Sequence, residues 1–170
     1  MSNDENSHFA KFLFAGAVGA LAGSWWKSNQ IDEGKKSRVE REDSDFTDEV
    51  RTEINELLDD LELLEDMDDE DDFRDTIADY LKKHSEYEIE VTPNTQFGKP
   101  DILIAGTLAL ETKYNPSKVE SDRCIGQCAN YSREWATWIV LYDTSESRIQ
   151  YLHDVLQDKG LDNIPIISFK

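Results

Sequence analysis

The chain has 170 residues, of which 38% are apolar and 32% are charged, so it can form one modest domain and an appendage. Its net charge of −19 excludes a surface that is basic throughout. The acidity is local, however, because residues 40–79 hold 20 of the 37 acidic residues and residues 80–170 carry a net charge of only −3. A basic groove outside the acidic block therefore remains compatible with the composition.

The first predicted element is a hydrophobic segment at residues 1–28. Its apolar run, residues 9–26, contains Lys11 as the only charge and would span about 27 Å as a helix. Trp25 and Trp26 end the run, and basic residues follow it, so we predict a membrane anchor with the rest of the chain on the cytoplasmic side. A soluble or partner-bound segment and a cleaved signal peptide are the alternatives, although the acidic start is untypical of a signal peptide.

An acidic amphipathic helix is predicted next, at residues 47–68, after a polar linker at residues 29–46. Thr47 is the expected N-cap, and apolar residues recur at helical spacing from Val50 to Leu64. The apolar face predicts packing on the domain or on a second copy in a homodimer. The acidic face allows another interpretation, a cover over a DNA-binding groove in which carboxylates imitate a phosphate track.

Residues 69–170 show alternating helix and strand patterns that predict an α/β fold, a mixed sheet flanked by helices. From residue 70 onward the predicted order is α-β-β-β-α-β-α-β. A solvated acidic turn at residues 66–72 leads into the first helix, the second helix covers residues 118–135, and the third, around residues 149–156, stops at Gly160. The strands cover residues 87–91, the hairpin around 99–114, 138–142 and 164–169. Cys124 and Cys128 lie one helical turn apart, which favours reduced, packed thiols in a cytosolic protein.

The hairpin contains the residues that suggest a metal site: Asp101, Glu111 and Lys113. If Ala105–Thr107 form its loop, paired residue numbers sum to 212 and Asp101 lies opposite Glu111. Lys113 is two residues from Glu111, so both side chains point to one face of the strand. Two adjacent carboxylates favour a cation between them, and Mg²⁺ suits carboxylate and water ligands. The alternative is a surface salt bridge at the end of a hairpin.

Two motifs extend this pattern to a known family. Pro100-Asp101 followed by Glu111-Thr112-Lys113 resembles the motif of the PD-(D/E)XK nuclease superfamily, and the predicted elements resemble its αβββαβ, restriction endonuclease-like core. Gln127 and Tyr131, one turn apart on the next helix, resemble the Q-x-x-x-Y motif of RecB-like members.

The resemblance implies a role for each matching residue. Asp101, Glu111, the Thr112 carbonyl and an acidic residue of the first helix would bind Mg²⁺ or Mn²⁺. Glu70 is the expected first-helix ligand, and three other acidic residues compete with it: Glu86, Glu88 and Glu90. Lys113 would be the catalytic lysine, assisted by Gln127 and Tyr131, and Lys99 is a candidate phosphate contact.

The resulting expectation is a metal-dependent nuclease that hydrolyses DNA through a metal-activated water. Two alternatives belong to other classes: a non-catalytic interaction protein with a nuclease-like fold, and a membrane-tethered acidic adaptor.

Overall fold

The computed structural model describes residues 33–63 and 67–170, with side-chain surroundings from residue 44 onward. The predicted hydrophobic segment, residues 1–28, lies outside the described residues. Within the described ranges, no helix combines the length and the hydropathy needed to cross a bilayer.

The first described helix, α1, runs from Glu33 to Asp59. The prediction of a start at Thr47 is wrong, since Thr47 lies inside the helix and part of the expected linker is helical. Lys, Arg and Glu dominate residues 33–42, and these are good helix formers, so the helix extends upstream of the apolar stripe. The expected end at residue 68 is also wrong. Asp59 and Asp60 place negative charge at the C-terminus, where it opposes the helix dipole.

The apolar face of α1 packs on the domain, as one of the two packing interpretations predicted. Val50, Ile54 and Leu58 are fully buried. They join a core cluster with residues of the next helix and of the central strands. The anchoring is therefore hydrophobic. From residue 44 onward the acidic residues of α1 are exposed except Glu53, which is half-buried and accepts a hydrogen bond from Ser85 Oγ at 2.9 Å.

The remaining elements follow in the predicted order. They are α2 (Glu70–His84), β1 (Ile89–Val91), β2 (Ile102–Ile104), β3 (Leu108–Tyr114), α3 (Lys118–Tyr131), β4 (Ala136–Tyr142), α4 (Glu146–Asp158) and β5 (Ile166–Phe169). The α2 helix begins inside the predicted acidic turn, because Asp69 caps it, and α3 ends at Tyr131 rather than at residue 135. The fold is mixed α/β, with a five-stranded sheet in the order β1-β2-β3-β4-β5. The first three strands are antiparallel, and β3, β4 and β5 are parallel.

The hairpin register is confirmed. Ile102 pairs with Leu110, Leu103 with Ala109 and Ile104 with Leu108, so each pair sums to 212. Ala105 and Gly106 adopt positive φ angles of 51° and 65° in the loop, which the short Ala105–Thr107 connection requires.

The sheet separates two hydrophobic layers. Along β4, Trp138, Val140 and Tyr142 join the layer of α1 and α2, whereas Ile139 and Leu141 join the layer of α3 and α4. Free, buried Cys124 and Cys128 belong to the second layer. This alternation leaves the end of β3 between α2 on one side and α3 on the other.

Candidate active site

Four charged residues meet at the C-terminal end of β3. Glu111 and Lys113 lie on this strand and are buried, Asp101 immediately precedes β2, and Glu70 is the first residue of α2. The α2 helix begins there because Asp69 caps it, accepting a hydrogen bond from the Asp72 backbone N–H at 2.9 Å. The fold thus joins side chains that are up to 43 residues apart in the chain.

The ammonium of Lys113 is the centre of this group. Its Nζ lies 2.9 Å from Glu70 Oε1 and 2.8 Å from Glu111 Oε1. It also donates a hydrogen bond of 2.6 Å to the Thr112 carbonyl and stands 3.7 Å from Asp101 Oδ2. Burial lowers the pKa of Lys113, but the carboxylates of Glu111 and Asp101 outweigh this and raise it above the ordinary value. Lys113 is therefore a fixed positive charge.

Asp101 is oriented by the strand beside it. Its Oδ2 accepts hydrogen bonds from the Thr112 backbone N–H at 2.8 Å and from Thr112 Oγ1 at 3.0 Å. Its other oxygen, Oδ1, has no hydrogen-bond donor among the described residues. One oxygen of Asp101 is thus held by the protein, and one is left to act as a ligand.

Glu111 is fully buried, yet neither of its carboxylate oxygens accepts a hydrogen bond from the described residues. Oε1 faces Lys113 without forming a well-oriented hydrogen bond, and Oε2 has no partner among the described residues. Burial raises the pKa of Glu111 to about 7, and the charge of Asp101 adds to the rise while Lys113 opposes it. A buried carboxylate in this state favours a further cation nearby.

Gln127 and Tyr131 face the same site from α3, and the Tyr131 hydroxyl bonds to a backbone carbonyl rather than to a charged side chain. Burial, together with the charge of Glu111, raises the pKa of Tyr131 to about 12, so the phenol stays protonated. The Tyr131 hydroxyl donates a hydrogen bond of 2.9 Å to the Lys99 carbonyl, and Gln127 Nε2 lies 3.4 Å from that hydroxyl. Tyr131 thereby fixes the segment that ends in Asp101.

Gly98 allows this segment to lie against Tyr131. Its φ of +123° is a conformation that only glycine adopts readily, and a Cβ at this position would lie 2.9 Å from the Tyr131 ring. The neighbouring Phe97 ring packs edge-to-face on Trp135 with centroids 5.7 Å apart. Backbone and aromatic contacts together therefore hold the loop that leads to Asp101.

These residues line a cleft of about 450 Å³. Its floor is formed by Glu70, Asp101, Glu111 and Lys113. Its remaining lining residues come from α2, the loop before β2, and α3; they are Arg74, Thr92, Phe97, Gly98, Lys99, Arg123, Gln127, Asn130 and Tyr131. The cleft is thus acidic at the floor and carries cations on its walls.

The donors of the floor fit a divalent cation in type. Asp101 Oδ1, the partnerless Glu111 oxygen and the Thr112 carbonyl are hard oxygen donors of the kind Mg²⁺ prefers. Three or more His, Cys, Asp or Glu side chains do not form a ready-made metal cluster anywhere in residues 33–63 and 67–170. The ammonium of Lys113 lies within 2.9 Å of both Glu70 Oε1 and Glu111 Oε1 and neutralises part of their charge.

The structure brings together the residues that the sequence analysis named for the floor of the cleft, and it adds wall residues that the sequence analysis did not name. Glu70 reaches the site, whereas the competing residues Glu86, Glu88 and Glu90 are exposed and do not line the cleft. Arg123 was missed, although it lies one turn before Gln127 and that spacing could have revealed it. Phe97 gave no motif signal, because its place depends on a loop contact with Trp135.

The interpretation of α1 as an acidic cover gains no support from the described part of the helix. No α1 residue in the described ranges lines the cleft. The helix instead borders a separate groove with Trp138 and Pro165. Its hydrophobic stripe is buried in the core.

Comparisons of the chain with protein-family models, curated proteins and solved structures found no match.

Proposed function

We propose that this protein is a nuclease that hydrolyses phosphodiester bonds of DNA with the help of Mg²⁺ or Mn²⁺. The observation that carries the proposal is the convergence of Asp101, Glu111 and Lys113, together with Glu70, on the floor of one cleft. The resemblance of these residues to the PD-(D/E)XK motif supports it, as does an element order like the αβββαβ core of that superfamily.

Each residue has a role that follows from its surroundings. Asp101, Glu111 and the Thr112 carbonyl would hold the cation, with Glu70 as the ligand from α2. When bound, Mg²⁺ polarises the phosphodiester and lowers the pKa of a coordinated water. Lys113 keeps its proton, so it acts as a fixed positive charge that stabilises the charge developing on the phosphate rather than as a base.

Gln127 and Tyr131 complete the proposed site in two different ways. Gln127 lines the cleft and can contact the substrate backbone. Tyr131 is a positioning residue, since its hydroxyl holds the Lys99 carbonyl two residues before Asp101. The carboxylate of Asp101 is therefore preorganised from both sides, by Thr112 and by Tyr131.

The proposal is tested by incubating the purified full chain with plasmid and single-stranded DNA in the presence of Mg²⁺ or Mn²⁺. We expect cleavage that EDTA stops and that falls at least a hundredfold in Asp101→Asn. Asp162→Asn is the matched control, because Asp162 is exposed and outside the cleft. Absence of cleavage by the native chain with either metal, or equal cleavage by both variants, would refute the nuclease function.

A second candidate function is a non-catalytic interaction domain built on the same fold. The observation that favours it is the internal neutralisation of the carboxylates by Lys113, which satisfies part of the site without any metal. The two functions predict different results for metal binding and cleavage. A nuclease binds metal and cleaves as the native chain, and its Lys113→Gln variant loses cleavage while it still binds metal. An interaction domain shows neither metal binding nor cleavage, even as the native chain.

A further inference from the structure

We propose that the cleft takes an unpaired DNA strand rather than a duplex, with Phe97 as a stacking platform for one base and Lys99 and Arg123 as phosphate contacts. This inference rests on the proposed nuclease function and specifies its substrate. It depends on three independent features of the cleft: the number of uncommitted cations, the charge of the two walls, and an aromatic ring beside the cations.

Only two cations of the described lining are available to a phosphate. Lys113 is held by the carboxylates of the floor, and the Arg74 guanidinium is held by Asp71 at 2.6 Å and by Asp75 at 2.7 Å. The remaining two, Lys99 and Arg123, are exposed and form no ion pair with any described residue. Two phosphate contacts release few counterions and so add little affinity by themselves, which suits a short stretch of one strand that is also held by base stacking.

The two walls differ in charge. Lys99 and Arg123 belong to the side formed by the loop and α3, whereas α2 forms the opposite wall. Residues 68–75, at the start of α2, contain six carboxylates and one arginine. Five of the carboxylates are exposed: Asp68, Asp69, Asp71, Asp72 and Asp75. They lie beside Glu70 and Arg74, the two residues through which this segment lines the cleft. A duplex carries phosphates on both strands, so the strand away from the cations would approach the exposed carboxylates at the start of α2, whereas a single strand can follow the basic side alone.

The aromatic ring completes the argument. Phe97 lines the cleft two residues from Lys99 and is only half-buried. Its edge-to-face contact with Trp135 fixes the ring, so stacking a base on it loses little side-chain entropy. Bases become available for such stacking when they are unpaired, and stacking on an aromatic side chain tolerates any base.

The test is fluorescence anisotropy of the full chain with a labelled 20-nucleotide single strand and with the corresponding duplex. Ca²⁺, which also takes oxygen ligands, replaces Mg²⁺ to limit turnover. We expect the single strand to bind at least tenfold more tightly, with a slope of log K against log salt of about −1.4, as two phosphate contacts predict. Equal or tighter binding of the duplex would overturn the inference.

Variants separate stacking from charge. Phe97→Leu keeps the apolar bulk against Trp135 but removes the aromatic face, and we expect roughly tenfold weaker single-strand binding. Lys99→Gln and Arg123→Gln should each reduce the salt slope by about 0.7. Lys159→Gln, at an exposed position outside the cleft, is the control and should change neither quantity. Unchanged binding in all three cleft variants would overturn the inference.

The outcome can be separated from that of the proposed function. Metal-dependent cleavage that Asp101→Asn abolishes, combined with a preference for duplex, would refute the substrate assignment and leave the nuclease proposal intact. Single-strand binding with the expected salt slope but no cleavage with Mg²⁺ or Mn²⁺ would support the strand assignment and refute the nuclease proposal.

Discussion

The substitution Glu111→Gln is the sharpest probe of the site, because it removes the one carboxylate that burial destabilises most. The pKa of Glu111 rises from 4.5 to about 7 on folding. At about 1.4 kcal/mol per unit, ionisation of this group disfavours the folded state by on the order of 3 kcal/mol. The folded protein holds the proton more tightly than the unfolded chain does. Glu111 therefore lowers stability progressively as the pH rises from about 4.5 to 7, and not further above 7.

Urea unfolding at pH 5 and at pH 8 measures this effect. Between the two pH values, Glu111→Gln should gain on the order of 3 kcal/mol of unfolding free energy relative to the native chain, a midpoint shift of about 1–3 M. The attraction between Lys113 and ionised Glu111 is already included in the pKa of about 7. Lys113 itself stays charged at both pH values and adds no titration of its own. Glu86→Gln, at an exposed position, is the control and should show no such gain. A pH-independent effect of Glu111→Gln would refute the account of a strained, buried carboxylate.

Two further substitutions test the framework that positions the site. Gly98→Ala should destabilise the fold by about 1–3 kcal/mol and reduce cleavage, because its φ of +123° and the 2.9 Å approach to the Tyr131 ring exclude a Cβ; Gly126→Ala, in open space on α3, should be neutral or stabilising in the same urea titration. Ile54→Ala should cost about 2–5 kcal/mol if α1 is part of the core. Val119→Ala, at a position that is 76% exposed, should cost less than about 0.5 kcal/mol, and similar losses in the two variants would contradict the packing of α1.

The sequence was sufficient to predict the hairpin and the order of elements that carry the floor of the site. Apolar residues flank a short connection at Gly106, so only one register buries both strands. That register brings Asp101 beside Thr112 and sets Glu111 and Lys113 on one face. The prediction that Glu70 joins them also agrees with the structure, because it follows from the position of Phe73 one turn later on the core face.

The sequence was insufficient where contacts between distant segments decide the structure. The length of α1 depends on helix propensity upstream of its apolar stripe, which the periodicity of the stripe does not report. The central place of the Lys113 ammonium among the carboxylates could not be derived from cross-strand spacing alone, because Glu70 comes from another element. The cleft wall formed by Phe97 depends on its packing against Trp135, and no motif marks it.

The most direct test of the central claim is isothermal titration of the full chain with Mn²⁺ at neutral pH. The account predicts one saturable site whose affinity falls at least tenfold in Asp101→Asn and in Glu111→Gln and is unchanged in Asp162→Asn. Absence of saturable binding by the native chain, or binding that all three variants retain equally, would contradict the assignment of this carboxylate group as a metal-dependent catalytic centre.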